Sequence, residues 1–300
     1  MPYDFLISNK VLANGRTVYN ASLKGSTQPE FFVANRTMYD GNFGLYNTQA
    51  LPGLIYNPAD YAADFGFWAY FIYPTALAES KGSYTCLNSY DRAKFTFSFM
   101  QYAAHVPNGD FVKFFKKLLM LSVAAEYFPK LLLKDTRICY KNSDGTLSQL
   151  ENDTSTQALM DYFNPSLLDI EKQEILCSAR MVHWAINDDD HRKLQVETAI
   201  QHFKNNMIVY NKQFNLEGVP AKVCQVICDI RHQGRAKNDR IASALNTNGN
   251  YNLAFTNLCS IGEVNYSQRI KTVRNTINSL QTSGSFNTKY ESATNSFVKM

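Results

Sequence analysis

The chain has no Cys-x-x-Cys pair, no His-Glu-x-x-His, no Gly-x-Ser-x-Gly and no glycine-rich phosphate loop. These absences exclude the motif-borne routes to zinc proteolysis, to ester hydrolysis at a nucleophile elbow and to P-loop nucleotide chemistry. The six cysteines (Cys86, Cys139, Cys177, Cys224, Cys228 and Cys259) are scattered. Cys224 and Cys228 share one face of an expected helix, but His232 is the only near third ligand. Free buried thiols are therefore expected, and no metal or cofactor. No run of about 18 apolar residues occurs, so no membrane span is expected. The opening residues, Met1 to Leu6, lack a charged segment followed by a long apolar one, so no signal peptide is expected and synthesis in a cytoplasm is. Basic residues exceed acidic ones by only four, and no basic stripe suggests nucleic acid. The densest cluster, Lys113-Phe114-Phe115-Lys116-Lys117, alternates with apolar residues as an amphipathic helix does.

What is abundant is aromatic and apolar: 18 Tyr, 20 Phe and 45% hydrophobic residues, enough for one sizeable core or two small ones. Residues 1–55 read as irregular or β-rich, with turns at Asn14-Gly15, Lys24-Gly25, Asp40-Gly41 and Pro52-Gly53 and a short strand at Phe31-Phe32-Val33. Asn57-Pro58-Ala59-Asp60 is a helix start: Asn caps, Pro fits the first turn, and Asp suits the positive end of the dipole. An apolar helix with Tyr61, Phe65, Trp68, Ala69 and Ile72 follows, which Pro74 should break or kink. Residues 80–94 read as a polar loop or hairpin, and residues 141–156 as a surface loop or β-hairpin. Helices are expected over about 111–127, 166–185, 190–209 and from Pro220 onward. Asp188, Asp189, Asp190 and His191 read as a helix cap rather than a metal site. The helix after Pro220 carries Gln225, Asp229 and Arg231, polar groups that face a cleft or make a buried ion pair.

The stretch with most chemical content is Glu79-Ser80 followed by Phe95-Thr96-Phe97-Ser98-Phe99-Met100-Gln101. A carboxyl at the end of an apolar segment, partly buried beside a cleft, suits a glycosidase general acid that holds its proton near neutral pH. Glu79-Ser80, an interval, and Ser98-Phe99-Met100-Gln101 resembles the signature of goose-type lysozymes and soluble lytic transglycosylases, Glu-Ser then a Gly-Leu-Met-Gln-like tetrapeptide. Ser98 stands where those families usually have glycine. A second echo lies near the C-terminus: Ser243-Ala244-Leu245-Asn246, Gly249 and Asn250-Tyr251-Asn252 resemble the Ala-Tyr-Asn-Ala-Gly segment, with Tyr266 before the last helix.

The resemblance implies a mainly α fold. A lysozyme-like helical domain would span residues 56–280, after a small irregular N-terminal segment (1–55) and before a loose tail (281–300). It implies a muramidase cleaving peptidoglycan β-1,4 bonds between N-acetylmuramic acid and N-acetylglucosamine. Glu79 would be the general acid. Asp91 is the candidate for positioning water; its other reading is a turn cap, or a pair with Arg92 or Lys94. Ser80, Gln101, Asn246 or Tyr251-Asn252, and Tyr266 would contact the sugar. The enzyme would reach the wall after lysis or through specialised secretion, and its producer would need an inhibitor protein. The alternatives are a transglycosylase, a chitosanase-like or chitinase-like hydrolase, and a non-catalytic glycan-binding or structural module.

Overall fold

The structure, a computed structural model, describes all 300 residues. In chain order it begins with strands β1 (Phe5–Val11), β2 (Thr17–Leu23), β3 (Phe31–Tyr39) and β4 (Asn42–Asn47). A 3₁₀ turn (Pro58–Tyr61) leads into helices α1 (Ala62–Phe65) and α2 (Phe67–Ser80). Strands β5 (Leu87–Asn88), β6 (Thr96–Phe97) and β7 (Tyr102–Ala103) follow, then α3 (Asp110–Leu119) and α4 (Ala124–Tyr127). Next come β8 (Leu131–Lys134), β9 (Arg137–Lys141) and β10 (Leu147–Gln149), then α5 (Gln157–Phe163), α6 (Lys172–Asn187) and α7 (Asp189–Phe214). The chain closes with α8 (Ala221–Gln233), α9 (Asn238–Leu245), α10 (Tyr251–Ser260), α11 (Glu263–Thr282), β11 (Thr288–Glu291) and β12 (Ser296–Lys299).

The chain divides into two compact units, Met1–Ile55 with Ser83–Thr198, and Tyr56–Gly82 with Ala199–Met300. This corrects the expectation of a mainly α, lysozyme-like core. Helix accounts for 45% and strand for 19% of the residues, so the fold is mixed α/β. Residues 1–55 are no small irregular appendage; they supply four strands of a seven-stranded antiparallel sheet ordered β1-β2-β3-β4-β5-β6-β7.

In the first unit, the β3–β4 hairpin turns on Asp40 (φ 49°) and Gly41 (φ 80°). Two successive left-handed residues match the twist of the flanking strands. In β2 the buried residues are Val18 and Ala21, three apart, because the pairing with β3 shifts register between Tyr19 and Asn20. A bulge of this kind breaks the simple alternation by which a strand is read from sequence. The core is aromatic, with Phe95 stacked on Phe163 at 4.5 Å and Phe111 on Phe115 at 5.8 Å. Two buried carboxyls sit in this unit. Glu151 meets Lys116 Nζ at 2.9 Å and Arg137 Nη1 at 3.3 Å and accepts from the Ile138 amide at 3.1 Å. Glu174 accepts a hydrogen bond from Ser89 Oγ, and its other oxygen has no partner.

In the second unit, the Asn57 side chain accepts from the Ala59 amide at 3.3 Å, with Pro58 in the first turn. Of the expected break or kink at Pro74 there is no break, for helix α2 continues through it. Proline there removes one hydrogen bond from the ladder. The buried face made by Trp68, Phe71, Ile72 and Ala76 holds the helix regardless. Phe71 packs on Phe297 of β12 at 4.7 Å. Thus residues 288–299, read from composition as part of a loose tail, form the β11–β12 hairpin with Tyr290 and Phe297 buried.

Candidate functional site

Glu79 is the penultimate residue of α2, and Thr75 lies one turn before it on the same face. On α8, Gln225, Asp229 and His232 recur at intervals of four and three and so share one side of that helix. Arg269 comes from α11, three residues after Tyr266, whose non-helical backbone (φ −128°, ψ 29°) kinks that helix. These elements bring together a network of ionisable groups inside the second unit.

Glu79 Oε1 lies 2.8 Å from Arg269 Nη1 and 3.1 Å from His232 Nε2. Arg269 Nη2 also reaches Asp229 Oδ1 at 2.8 Å. Asp229 Oδ2 accepts from Arg235 Nη2 at 2.6 Å. Thr75 Oγ1 donates to Asp229 Oδ1 at 3.1 Å and accepts from Gln225 Nε2 at 2.8 Å. The side chains are sealed: Asp229 is 0% exposed, Arg235 1% and Arg269 9%. Two carboxylates therefore face two guanidinium groups, so the buried charges compensate one another.

The protonation of Glu79 follows from these contacts. Burial works to raise its carboxyl. The hydrogen bond and charge of His232, and then the charge and hydrogen bond of Arg269, outweigh it and hold the group at about 2. Burial likewise opposes the charge on Arg269, but Asp229 and Glu79 overcome it and raise the guanidinium further. At neutral pH, Glu79 is a carboxylate paired with the Arg269 guanidinium and in contact with the His232 ring. A general acid needs the opposite environment, one that keeps the proton on.

From Arg235 the network reaches a pocket of about 480 Å³ walled by Arg231, Arg235, Lys237, Asp239 and Arg240. It lies where α8 gives way to α9. Gly234, left-handed at φ 74°, ends α8 and turns the chain. The Arg231 guanidinium holds the connection by donating to the Ala236 carbonyl at 3.1 Å. Lys237, at the N-cap of α9, makes no side-chain cap. Arg235 spends one nitrogen on Asp229; its Nε and Nη1, both buried, have no hydrogen-bond partner, and neither has Arg231 Nε. Buried donors left unpaired are uncommon and costly.

Of the other residues singled out from the sequence, Ser80, Asp91, Gln101, Ser98 and Asn252 have hydrogen-bond partners of their own. Ser80 is buried, with Oγ 3.5 Å from the Ala76 carbonyl it donates to. Asp91 belongs to the first unit and accepts from the Ala93 amide at 2.8 Å, the turn-cap reading. Gln101, also in the first unit, accepts from Asn88 Nδ2 at 3.4 Å and donates to Cys86 Sγ at 3.4 Å. Ser98 takes φ 96°, a backbone conformation glycine favours, while its Oγ accepts from the Met100 amide at 3.0 Å. Asn246 is exposed at the end of α9. Tyr251 and Asn252 open α10, where Asn252 Oδ1 accepts from Lys222 Nζ at 2.6 Å. Tyr266 is half-buried at the kink. All six cysteines are buried free thiols, and His232 turns to Glu79 rather than forming a set with Cys224 and Cys228.

Sequence reading missed Arg269 and Arg235 as partners of the two acids. Its one usable signal was the polar spacing Gln225–Asp229 on an apolar helix, and of the two readings left open there, Asp229 takes the buried ion pair. No protein-family model matches the chain, and no curated protein or solved structure matches it either.

Proposed function

We propose that this chain is a binding module for an anionic ligand, taken up in the pocket between α8 and α9. In this reading Glu79 is a carboxylate anchor and not a proton donor. The observation that carries the reading is the charge of the pocket wall. Arg231, Lys237 and Arg240 stand there with Asp239 as the one carboxylate, while the Arg235 guanidinium lies sealed against Asp229. An anion entering there meets the exposed side chains of Lys237 and Arg240. Three cationic side chains against one carboxylate leave the wall at a formal +2. Glu79 and Asp229 hold Arg269 and Arg235 from behind.

Cleavage of peptidoglycan by Glu79 would require a protonated carboxyl, and the pairing with Arg269 and His232 favours the ionised form. Among the sequence-based alternatives, the non-catalytic glycan-binding or structural module is the one that needs no protonated Glu79.

Thermal unfolding in sodium phosphate and in sodium chloride at matched ionic strength tests the proposal. At a ligand concentration a hundredfold above Kd, the stabilisation is about 2.7 kcal/mol. Phosphate also stabilises proteins by exclusion from their surface. The Lys237→Ser/Arg240→Ser variant, altered only at exposed wall residues, therefore serves as the reference. A phosphate-dependent rise in wild type well above that of the variant is expected. Equal rises would overturn the reading.

A further inference from the structure

Three asparagines of the chain precede glycine: Asn14, Asn108 and Asn248. The pair has a chemistry of its own. The glycine amide nitrogen attacks the side-chain carbonyl carbon of asparagine, ammonia leaves, and a succinimide ring closes. Water then opens the ring at either carbonyl, giving aspartate or isoaspartate. Glycine favours the attack because it has no Cβ in the way and its backbone rotates freely. All three asparagines are exposed, so access to water does not distinguish them. Their hydrogen bonds do.

In the β1–β2 turn, the Gly15 amide donates to the Leu12 carbonyl at 2.9 Å, and Asn14 Oδ1 accepts from the Arg16 amide at 3.1 Å. Just before α3, the Gly109 amide donates to the Val106 carbonyl at 3.0 Å, and Asn108 Nδ2 donates to Asp153 Oδ1 at 3.1 Å. In both places the attacking amide and the attacked side chain are each held by another group. The connection between α9 and α10 is different. Asn248 (φ 50°) and Gly249 (φ 80°) are the central residues of a turn that is closed by the Asn250 amide donating to the Thr247 carbonyl at 3.0 Å. Neither the Gly249 amide nor the Asn248 side chain is engaged in a hydrogen bond. We infer that Asn248 is a site of spontaneous covalent modification, converted to aspartate and isoaspartate in the folded protein ahead of Asn14 and Asn108.

The modification bears on the entry to α10. Asn250 caps that helix, its side chain accepting from the Leu253 amide at 3.1 Å. Isoaspartate lengthens the backbone by a methylene between Thr247 and Asn250, within the turn that sets this cap. Aspartate leaves the backbone unchanged and adds only a charge.

Peptide mapping by mass spectrometry of the full chain, aged in mildly alkaline buffer with and without urea, tests the inference. A backbone hydrogen bond that must open before attack slows the step about fivefold. In the folded protein the Asn248 peptide should therefore convert about fivefold or more faster than either of the other two. In urea, where no turn holds its amide, the three rates should converge. Fragmentation should find isoaspartate as well as aspartate at position 248, because direct hydrolysis of the side chain gives aspartate alone. Conversion of Asn14 or Asn108 at the rate of Asn248 in the folded chain would overturn the inference. So would aspartate as the sole product, or a lead for Asn248 that persists undiminished in urea, which would place the cause in the neighbouring sequence and not in the fold.

Discussion

Replacing Glu79 by Gln tests the electrostatic account directly. The substitution keeps the shape and one acceptor oxygen but removes the charge that faces Arg269 and His232. A carboxyl depressed from its ordinary 4.5 to about 2 contributes stability that is complete above the unfolded value and lost as pH falls through the folded one. At 1.36 kcal/mol per unit, the contribution at pH 7 is roughly 3 kcal/mol, and at pH 3 roughly half of that. Glu79 is 14% exposed, so solvent screening trims this only modestly. Urea unfolding of both proteins at pH 7 and pH 3 reads the difference. The variant should be less stable at neutral pH, by a margin that shrinks in acid. Equal stability at pH 7, or a margin that grows in acid, would mean that Glu79 is protonated in the fold. The general-acid reading would then regain its basis, and digestion of peptidoglycan by wild type but not by Glu79→Gln would establish it.

Two further substitutions probe the first unit. Burial pushes Glu174 up to about 7 against the hydrogen bond from Ser89, so ionisation costs stability as pH rises from the unfolded value through 7. Glu174→Gln should therefore gain roughly 3 kcal/mol at pH 8 and less than about 1 kcal/mol at pH 5, and a gain independent of pH would refute the assignment. Gly44 in β4 has no room for a side chain: an added Cβ would sit 2.7 Å from the Tyr90 amide nitrogen and 2.8 Å from the Ser89 carbonyl carbon. Backbone cannot yield there, so Gly44→Ala should cost about 1–3 kcal/mol in denaturant unfolding.

What the sequence disclosed depended on how local the cause was. Asn57-Pro58 marked a helix entry because capping is decided within four residues, and the helix after Pro220 was read because its buried face repeats at helical spacing. The sheet was largely hidden. Strand β1 has one buried residue in seven, β2 is bulged, and β5, β6 and β7 contribute two residues each, too few to show a period. Pro74 does not end α2 because a local penalty lost to the packing of Phe71 and Ile72. At the site, the motif around Glu79 drew attention to a buried carboxyl but not to its charge state. That depends on Arg269 and His232, which no spacing rule connects to it.

The order of segments in the second unit also bears on how it is made. Its first stretch, residues 56–82, is separated from the remainder by the whole of residues 83–198. Glu79 and Arg269 are 190 positions apart. At 5–20 residues per second, a ribosome takes about 10–40 s to cover that interval. For that time Glu79 lacks Arg269, and no cotranslational event inside residues 56–82 can supply it. The apolar face of α2 waits longer still, because Phe286 and Phe297, which pack on Phe71, follow α11. A nascent chain stalled before Arg269 would expose Trp68, Phe71 and Ile72 to chaperones and proteases.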